Sequence, residues 1–124
     1  RVLPGAGVPV RGAKVLGRGV ADKRDIPDYR ESPAIEVIRG LRRLGAEVEY
    51  HDPHVPRFAE GGLAMESVPL SEERVREKDL VLIATDHSAF DYKAIVAQAR
   101  RVLDARGATR HLPRELTEGK VVLL

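Results

Sequence analysis

The 124-residue sequence contains no cysteine and no tryptophan, and only three tyrosines and two phenylalanines. The missing cysteine excludes disulfides, thiolate metal ligands and cysteine nucleophiles, a pattern that suits a cytoplasmic protein. Aromatic residues amount to 4%, too few for the stacking platforms of a nucleic-acid-binding face. No apolar run approaches the roughly 18 residues of a membrane-spanning helix. No signal-peptide pattern precedes the first regular segment. Excess charge is also scarce: 21 basic side chains face 19 acidic ones, a net of +2. Neither a nucleic acid nor a membrane is therefore expected as a partner.

Hydrophobic residues make up 43% of the chain, enough for one ordinary domain to bury a core without staples. Arginine supplies 16 of the 21 basic side chains. Its planar fork suits bidentate contacts to phosphate and carboxylate, although most of these arginines read as compositional bias.

Residues 1–11 read as an irregular lead-in or linker, broken by Pro4, Gly5, Gly7 and Pro9. Residues 13–20 read as a strand weakened by Gly17, Arg18 and Gly19, followed by a polar loop over 21–31. Ser32 is a good N-cap and Pro33 is tolerated in a first turn. Ile35, Ile38, Leu41 and Leu44 recur at helical spacing, Val37 widens the apolar face, and Gly45 stops the helix. Residues 47–50 alternate as a second strand, ended by His51-Asp52-Pro53. Residues 56–62 read as loop and 63–68 as a short strand, and Ser71 caps a short helix over 72–78. The apolar run Leu80-Val81-Leu82-Ile83-Ala84 reads as a strand covered on both faces. Asp91 caps a helix to about Arg100, Val102 and Leu103 form a strand, and residues 120–124 form the last one. Strands alternating with helices predict an α/β domain of three layers, a mostly parallel sheet with helices on both faces. Ligands of such sheets sit beyond the carboxyl ends of the strands. That edge carries the loops at 21–31, 85–91 and 104–107.

Several short motifs carry chemistry. Gly17-Arg18-Gly19 resembles the start of a dinucleotide fingerprint, but Asp22 stands where the third glycine belongs and no helix follows directly. Gly5-Ala6-Gly7 has no strand before it. Lys23, Arg24, Arg30 and Arg106 all follow predicted strands. They are either a converging set that holds a diphosphate or solvated partners of Asp22, Asp25, Asp28 and Glu31. His51-Asp52-Pro53-His54 holds the donors of a facial metal triad, yet no further ligand is evident and a turn is the plainer reading; no metal is expected. Asp86, His87 and Ser88 are the residue types of a hydrolytic triad, which is normally assembled from distant segments. A loop whose side chains satisfy backbone amides is the alternative.

Taken together, five segments carry a family resemblance. Asp28-Tyr29-Arg30-Glu31-Ser32-Pro33-Ala34 resembles the Asp-x-Arg-Glu-Ser-Pro motif of the UDP-glucose/GDP-mannose dehydrogenase family. In order after it or before it come Gly12-Ala13-Lys14-Val15-Leu16, Gly45 to Pro53, Ala84 to Tyr92, and Asp104-Ala105-Arg106. The wording is most similar to the branch acting on UDP-N-acetyl-hexosamines. The resemblance covers residues 12–124 and implies a Rossmann-like, UDP-sugar-binding C-terminal domain of an NAD-dependent UDP-sugar 6-dehydrogenase, which oxidises a C6 alcohol to a carboxylate in two steps. It implies Lys23 and Arg106 as substrate-binding residues and Arg30 as reaching toward NAD at a domain interface. It implies as partners the UDP-sugar, an N-terminal NAD domain, a central domain carrying the catalytic cysteine, and a second copy in a homodimer.

The chain also departs from the family's pattern. It has Gly17 and Arg18 where apolar residues usually continue the first strand, Asp22 where an aromatic precedes the loop lysine, Pro27 in place of an acid, and Gly107 in place of an asparagine. With neither cysteine nor a full fingerprint, the chain alone is expected to bind and not to catalyse. The alternative is a non-catalytic interaction or oligomerisation module of the same fold that has lost its nucleotide.

Overall fold

The computed structural model describes residues 9–30 and 32–123. Most of the expected lead-in, the Gly5-Ala6-Gly7 motif, Glu31 and Leu124 lie outside the described residues. In chain order the elements are β1 (Lys14–Arg18), α1 (Pro33–Arg43), β2 (Glu47–His51), β3 (Arg57–Glu60), β4 (Leu63–Glu66), α2 (Glu72–Arg76), β5 (Leu80–Ile83), α3 (Tyr92–Gln98), β6 (Val102–Asp104), α4 (Arg114–Thr117) and β7 (Val121–Leu123).

Among the described residues five strands form one sheet in the order β2-β1-β5-β6-β7. Every neighbouring pair is parallel. The winding runs from β1 to β2 on one side, then reverses and runs through β5 to β7 on the other. Helices cover both faces, and β5 records this in its alternation. Leu80 and Leu82 join Val15 and Ala34 of the α1 side, whereas Val81 and Ile83 join Leu16, Val75, Ile95 and Val96 of the α2 and α3 side. The continuous apolar run at 80–84 is therefore a strand with no wet face, and the three-layer α/β architecture is the expected one.

Helix α1 forms as its ends dictate. The Ser32 hydroxyl accepts from the Ala34 amide at 3.2 Å, and Pro33 occupies the first helical position. Arg42 and Arg43 lie in the last turn beside the negative end of the helix dipole. Its buried face is Ala34, Ile35 and Ile38, narrower than the spacing predicts. Val37 and Leu44 are exposed, Leu44 because it is the C-cap, beyond the last regular turn.

Residues 56–62 are not loop. Arg57–Glu60 pairs antiparallel with Leu63–Glu66, Glu60 opposite Leu63. Gly61 and Gly62 form the two-residue turn with φ of 55° and 82°, the conformation that selects glycine in tight hairpins. Arg39 of α1 donates to the carbonyls of Glu60 and Gly61, both at 2.9 Å, and Phe58 packs against Tyr29 and Tyr50. Helix α4 also falls in a stretch read as loop. Its four residues bury no side chain, so no apolar periodicity announces it. No helix among the described residues is long and apolar enough to cross a membrane.

Gly17 and Arg18 do not end β1 but complete it. Arg18 points to the α3 side, 7% exposed, with its guanidinium carbon 4.6 Å from the centre of the Phe90 ring. Its Nε has no hydrogen-bond partner, and burial pushes its pKa down to about 10 against the opposing pull of Tyr92. A buried cation without a carboxylate costs stability that a hydrophobe of similar volume restores. Arg18→Leu should raise stability by about 1–2 kcal/mol, a gain of roughly 4 °C or more in melting temperature. Differential scanning calorimetry checks this; a lower melting temperature would mean that stacking on Phe90 outweighs the desolvation.

Candidate functional site

The chain reverses its winding between β1 and β5, and ligands of such sheets gather there, beyond the carboxyl ends of the strands. In this molecule the loops after β1 and β5 are fastened to each other across that point. Gly19 has φ +91°, and a β-carbon on it would lie 2.5 Å from the Thr85 β-carbon. Only glycine fits there. The Thr85 hydroxyl then donates to the Ala21 carbonyl at 2.6 Å.

The next fastening is Asp52, at the end of β2 and almost without solvent exposure. Its Oδ2 accepts from the amides of Val20 and Ala21 at 2.9 and 3.2 Å. The same oxygen meets Nε2 of the fully buried His87 at 2.8 Å, and Oδ1 accepts from the His54 amide at 2.8 Å. Burial opposes ionisation of Asp52, but these hydrogen bonds and the His87 ring outweigh it and hold the carboxyl below its ordinary range. The Asp25 amide donates to His87 Nδ1 at 2.8 Å, which assigns the ring proton to Nε2 and aims it at Asp52. Asp25, itself in the left-handed region at φ 61°, accepts from both the amide and the hydroxyl of Ser88 at 2.8 and 2.7 Å.

This arrangement decides between the readings left open by the residue types. His87 is engaged at both ring nitrogens, and the Ser88 hydroxyl is given to Asp25, so Asp86-His87-Ser88 is not a hydrolytic triad. His51 does not join His54, because its Nδ1 sits 3.0 Å from the Val68 carbonyl. The donor group that does converge is Asp25, His54 and His87, whose ligand atoms lie within 4.8 Å of one another. There the Nδ1 lone pair of His87 is already taken by the Asp25 amide, and a cation would have to displace it.

The arginines and lysine of the same edge fall into two groups, each around one carboxylate. Asp28 receives the Arg30 guanidinium at 3.1 and 3.0 Å. Those bonds, together with the Arg30 amide and the nearby charge of Lys23, hold its pKa at about 2. Lys23 is exposed, and the Arg30 side chain is 83% exposed. The second group surrounds Asp86. Arg24 donates through Nε to the Asp86 carbonyl at 3.1 Å and through its terminal nitrogen to Oδ2 at 2.6 Å, and Arg106 Nε stands 3.8 Å from Oδ1. Of the sequence-predicted residues, Arg30 binds Asp28, Lys23 acts on that carboxylate through its charge alone, and Arg106 belongs to another. Arg24, one of four cations noted in the sequence, is the one that reaches the carboxylate beside Arg106.

Arg106 is held by its loop. Asp104, at the end of β6, accepts from the amides of Arg106, Ala108 and Thr109 and from the Thr109 hydroxyl, at 2.6 to 3.1 Å. Burial works against ionisation of this carboxyl as well, and the four donors prevail and lower its pKa. The Arg106 side chain borders a cleft of about 310 Å³ lined by Pro33, Ala34, Val37, Leu82, Ala84 and Ala105. That volume is in the range of small-molecule sites, and the first turn of α1 forms one of its walls. A larger hollow of about 460 Å³ lies against the hairpin, between Tyr29, Phe58 and Met65. The smaller cleft is the better candidate, because it lies at the strand ends and Arg106 borders it.

Comparison with known proteins identifies the family. The family model described as UDP-glucose/GDP-mannose dehydrogenase family, UDP binding domain, matches residues 17–111. The chain is similar to a UDP-glucose 6-dehydrogenase of Rhizobium meliloti, 31% identical over 94 residues, covering 73% of this chain and 21% of that protein. It is similar to a UDP-N-acetyl-D-mannosamine dehydrogenase of Methanococcus maripaludis, 36% identical over 74 residues, covering 58% and 16%. Among solved structures, the NDP-N-acetyl-D-galactosaminuronic acid dehydrogenase of Methanosarcina mazei superposes with a TM-score of 0.70 at 25% identity, over 95% of this chain and 25% of that one. The chain spans about a quarter or less of the length of each of these proteins.

Asp52 gives the site its most exposed test. Asparagine sets an amide donor against a buried donor, and each hydrogen bond lost to the charged carboxylate costs about 1.5–3 kcal/mol, so Asp52→Asn should melt roughly 10 °C below the parent. Its pKa is lowered in the folded state. The stability it contributes is therefore complete above the unfolded value near 3.9 and lost as pH falls through the folded value. Melting curves from pH 7 to 2 should show the parent losing stability below about pH 4, and Asp52→Asn with a shallower slope there; equal slopes would show that other carboxyls govern acid unfolding.

Proposed function

The chain belongs to the UDP-glucose/GDP-mannose dehydrogenase family, as a UDP binding domain, and from that membership we propose that it grips the diphosphate of a UDP-sugar in the cleft beside Arg106. The observation that carries the reading is the loop after β6. Four donors fix Asp104, the loop presents Arg106 at a cleft of about 310 Å³, and a guanidinium fork suits a phosphate pair. Lys23 and Arg30 are the other members of the proposed site, Lys23 toward the nucleotide sugar and Arg30 toward NAD.

In the whole enzyme the reaction is the two-step oxidation of the sugar C6 alcohol to a carboxylate in the cytoplasm, with NAD accepting the hydrides. This chain's own residues do not fit a dinucleotide cradle. Gly19 is pressed against Thr85, which leaves no room for a pyrophosphate against the backbone, and β1 leads into a loop instead of a helix. The part assigned to the chain is binding and orientation. NAD and the cysteine would come from the N-terminal and central domains of a longer protein, and a homodimer would be built largely through those parts.

Calorimetric and thermal-shift titrations with UDP, UDP-N-acetylglucosamine and NAD test this. A ligand at 100 times its dissociation constant adds about 2.7 kcal/mol, or roughly 10 °C for a domain of this size. The expected result is stabilisation by both UDP compounds, none by NAD, loss of the effect in Arg106→Ala, and no NADH formed with any UDP-sugar. Silence of both UDP compounds at millimolar concentration would favour an interaction module that has lost its nucleotide.

A further inference from the structure

We propose that the second arm of the diphosphate clamp is Arg24, and that Asp86 is an internal stand-in for phosphate which the two arginines exchange for the ligand. This rests on the reading of the Arg106 cleft given above. The geometry has three parts. Arg24 binds Asp86 through both its carbonyl and its carboxylate, so its fork already clasps two oxygens in the manner of a phosphate contact. Arg106 approaches the other carboxylate oxygen only to 3.8 Å, which is attraction without a hydrogen bond. Among the described residues no group accepts a hydrogen bond from its guanidinium, which therefore has donors to offer. Two guanidiniums around one carboxylate leave a surplus positive charge. Two guanidiniums around a diphosphate match it.

The supports of the two arms are rigid while the arms are not. Arg24 precedes Asp25, which is tied to His87 and Ser88 by three hydrogen bonds, and Arg106 follows Asp104. The Arg24 side chain itself is 62% exposed, free to swing once Asp86 is replaced. Lys23, one residue earlier in the loop, is exposed and influences Asp28. The bland alternative is an exposed ion pair of negligible consequence, and the two make opposite statements about binding.

Isothermal titration of UDP, with uridine as the phosphate-free control, onto the parent chain, R24A, D86N and R106A separates them; circular dichroism melts confirm that each variant is folded. R24A should weaken UDP binding by about tenfold or more. D86N should tighten UDP severalfold by removing the competing acid, and uridine should respond to none of these changes. UDP binding that R106A abolishes and R24A leaves intact would overturn the clamp but keep the cleft. Weaker UDP binding in D86N would overturn the stand-in. A parent chain blind to millimolar UDP would overturn both this inference and the reading beneath it.

Discussion

The whole carboxyl edge depends on one buried carboxylate having enough donors. Asp52 sits where β2 ends and collects two amides from the loop after β1, one from its own turn, and the His87 ring from the loop after β5. An isolated ionised carboxylate in that position would be prohibitively costly; with four donors it becomes the point at which three loops are registered against one another. His87 extends the registration by one step, since its second nitrogen accepts the amide of Asp25, and Asp25 extends it again to Ser88. Positions 22 to 25 and 85 to 88 are thereby set relative to the sheet largely by polar contacts, with Val20 and Ala21 anchoring the start of the first loop in an apolar cluster.

Against that fixed frame the charges are arranged loosely. Asp28 answers Arg30 and feels the charge of Lys23, Asp86 stands between Arg24 and Arg106, and the side chains of Arg24 and Arg30 are largely open to water at the rim. Arg18 does the opposite, a cation placed under Phe90 with no carboxylate among the described residues to answer it. Around this edge positive charge is thus placed in three ways: paired and exposed, paired across a cleft, and buried on an aromatic face. Only the second is placed for recognising an anionic ligand.

The sequence carried the architecture well because the strongest signals in it are local and physical. The Ser32-Pro33 start, Gly45, and the run at 80–84 name their own structures. The hairpin at 57–66 is less legible, because Arg57-Phe58-Ala59-Glu60 does not alternate and only the glycine pair between two short strands signals a hairpin. The site was less legible. Asp104 and Arg106 could be paired from their spacing and the resemblance. That Arg24 and not its neighbour Lys23 would reach Asp86 depends on the left-handed turn at Asp25, and no periodicity encodes which way a loop side chain leaves such a turn. The role of His87 was masked by its neighbours Asp86 and Ser88, whose residue types suggested chemistry, while its real partner is 35 positions away.

That separation has a consequence in time. A chain made from its N-terminus at about 5–20 residues per second exposes Asp52 to water roughly 2–7 s before His87 exists. The central strand β1 likewise waits for β5, its neighbour across the reversal of winding. The first half of the domain can collapse onto α1 and the hairpin, but it cannot bury its acid until the second half arrives. The nascent chain thus keeps the carboxyl edge of its sheet hydrated and open, and closes it last.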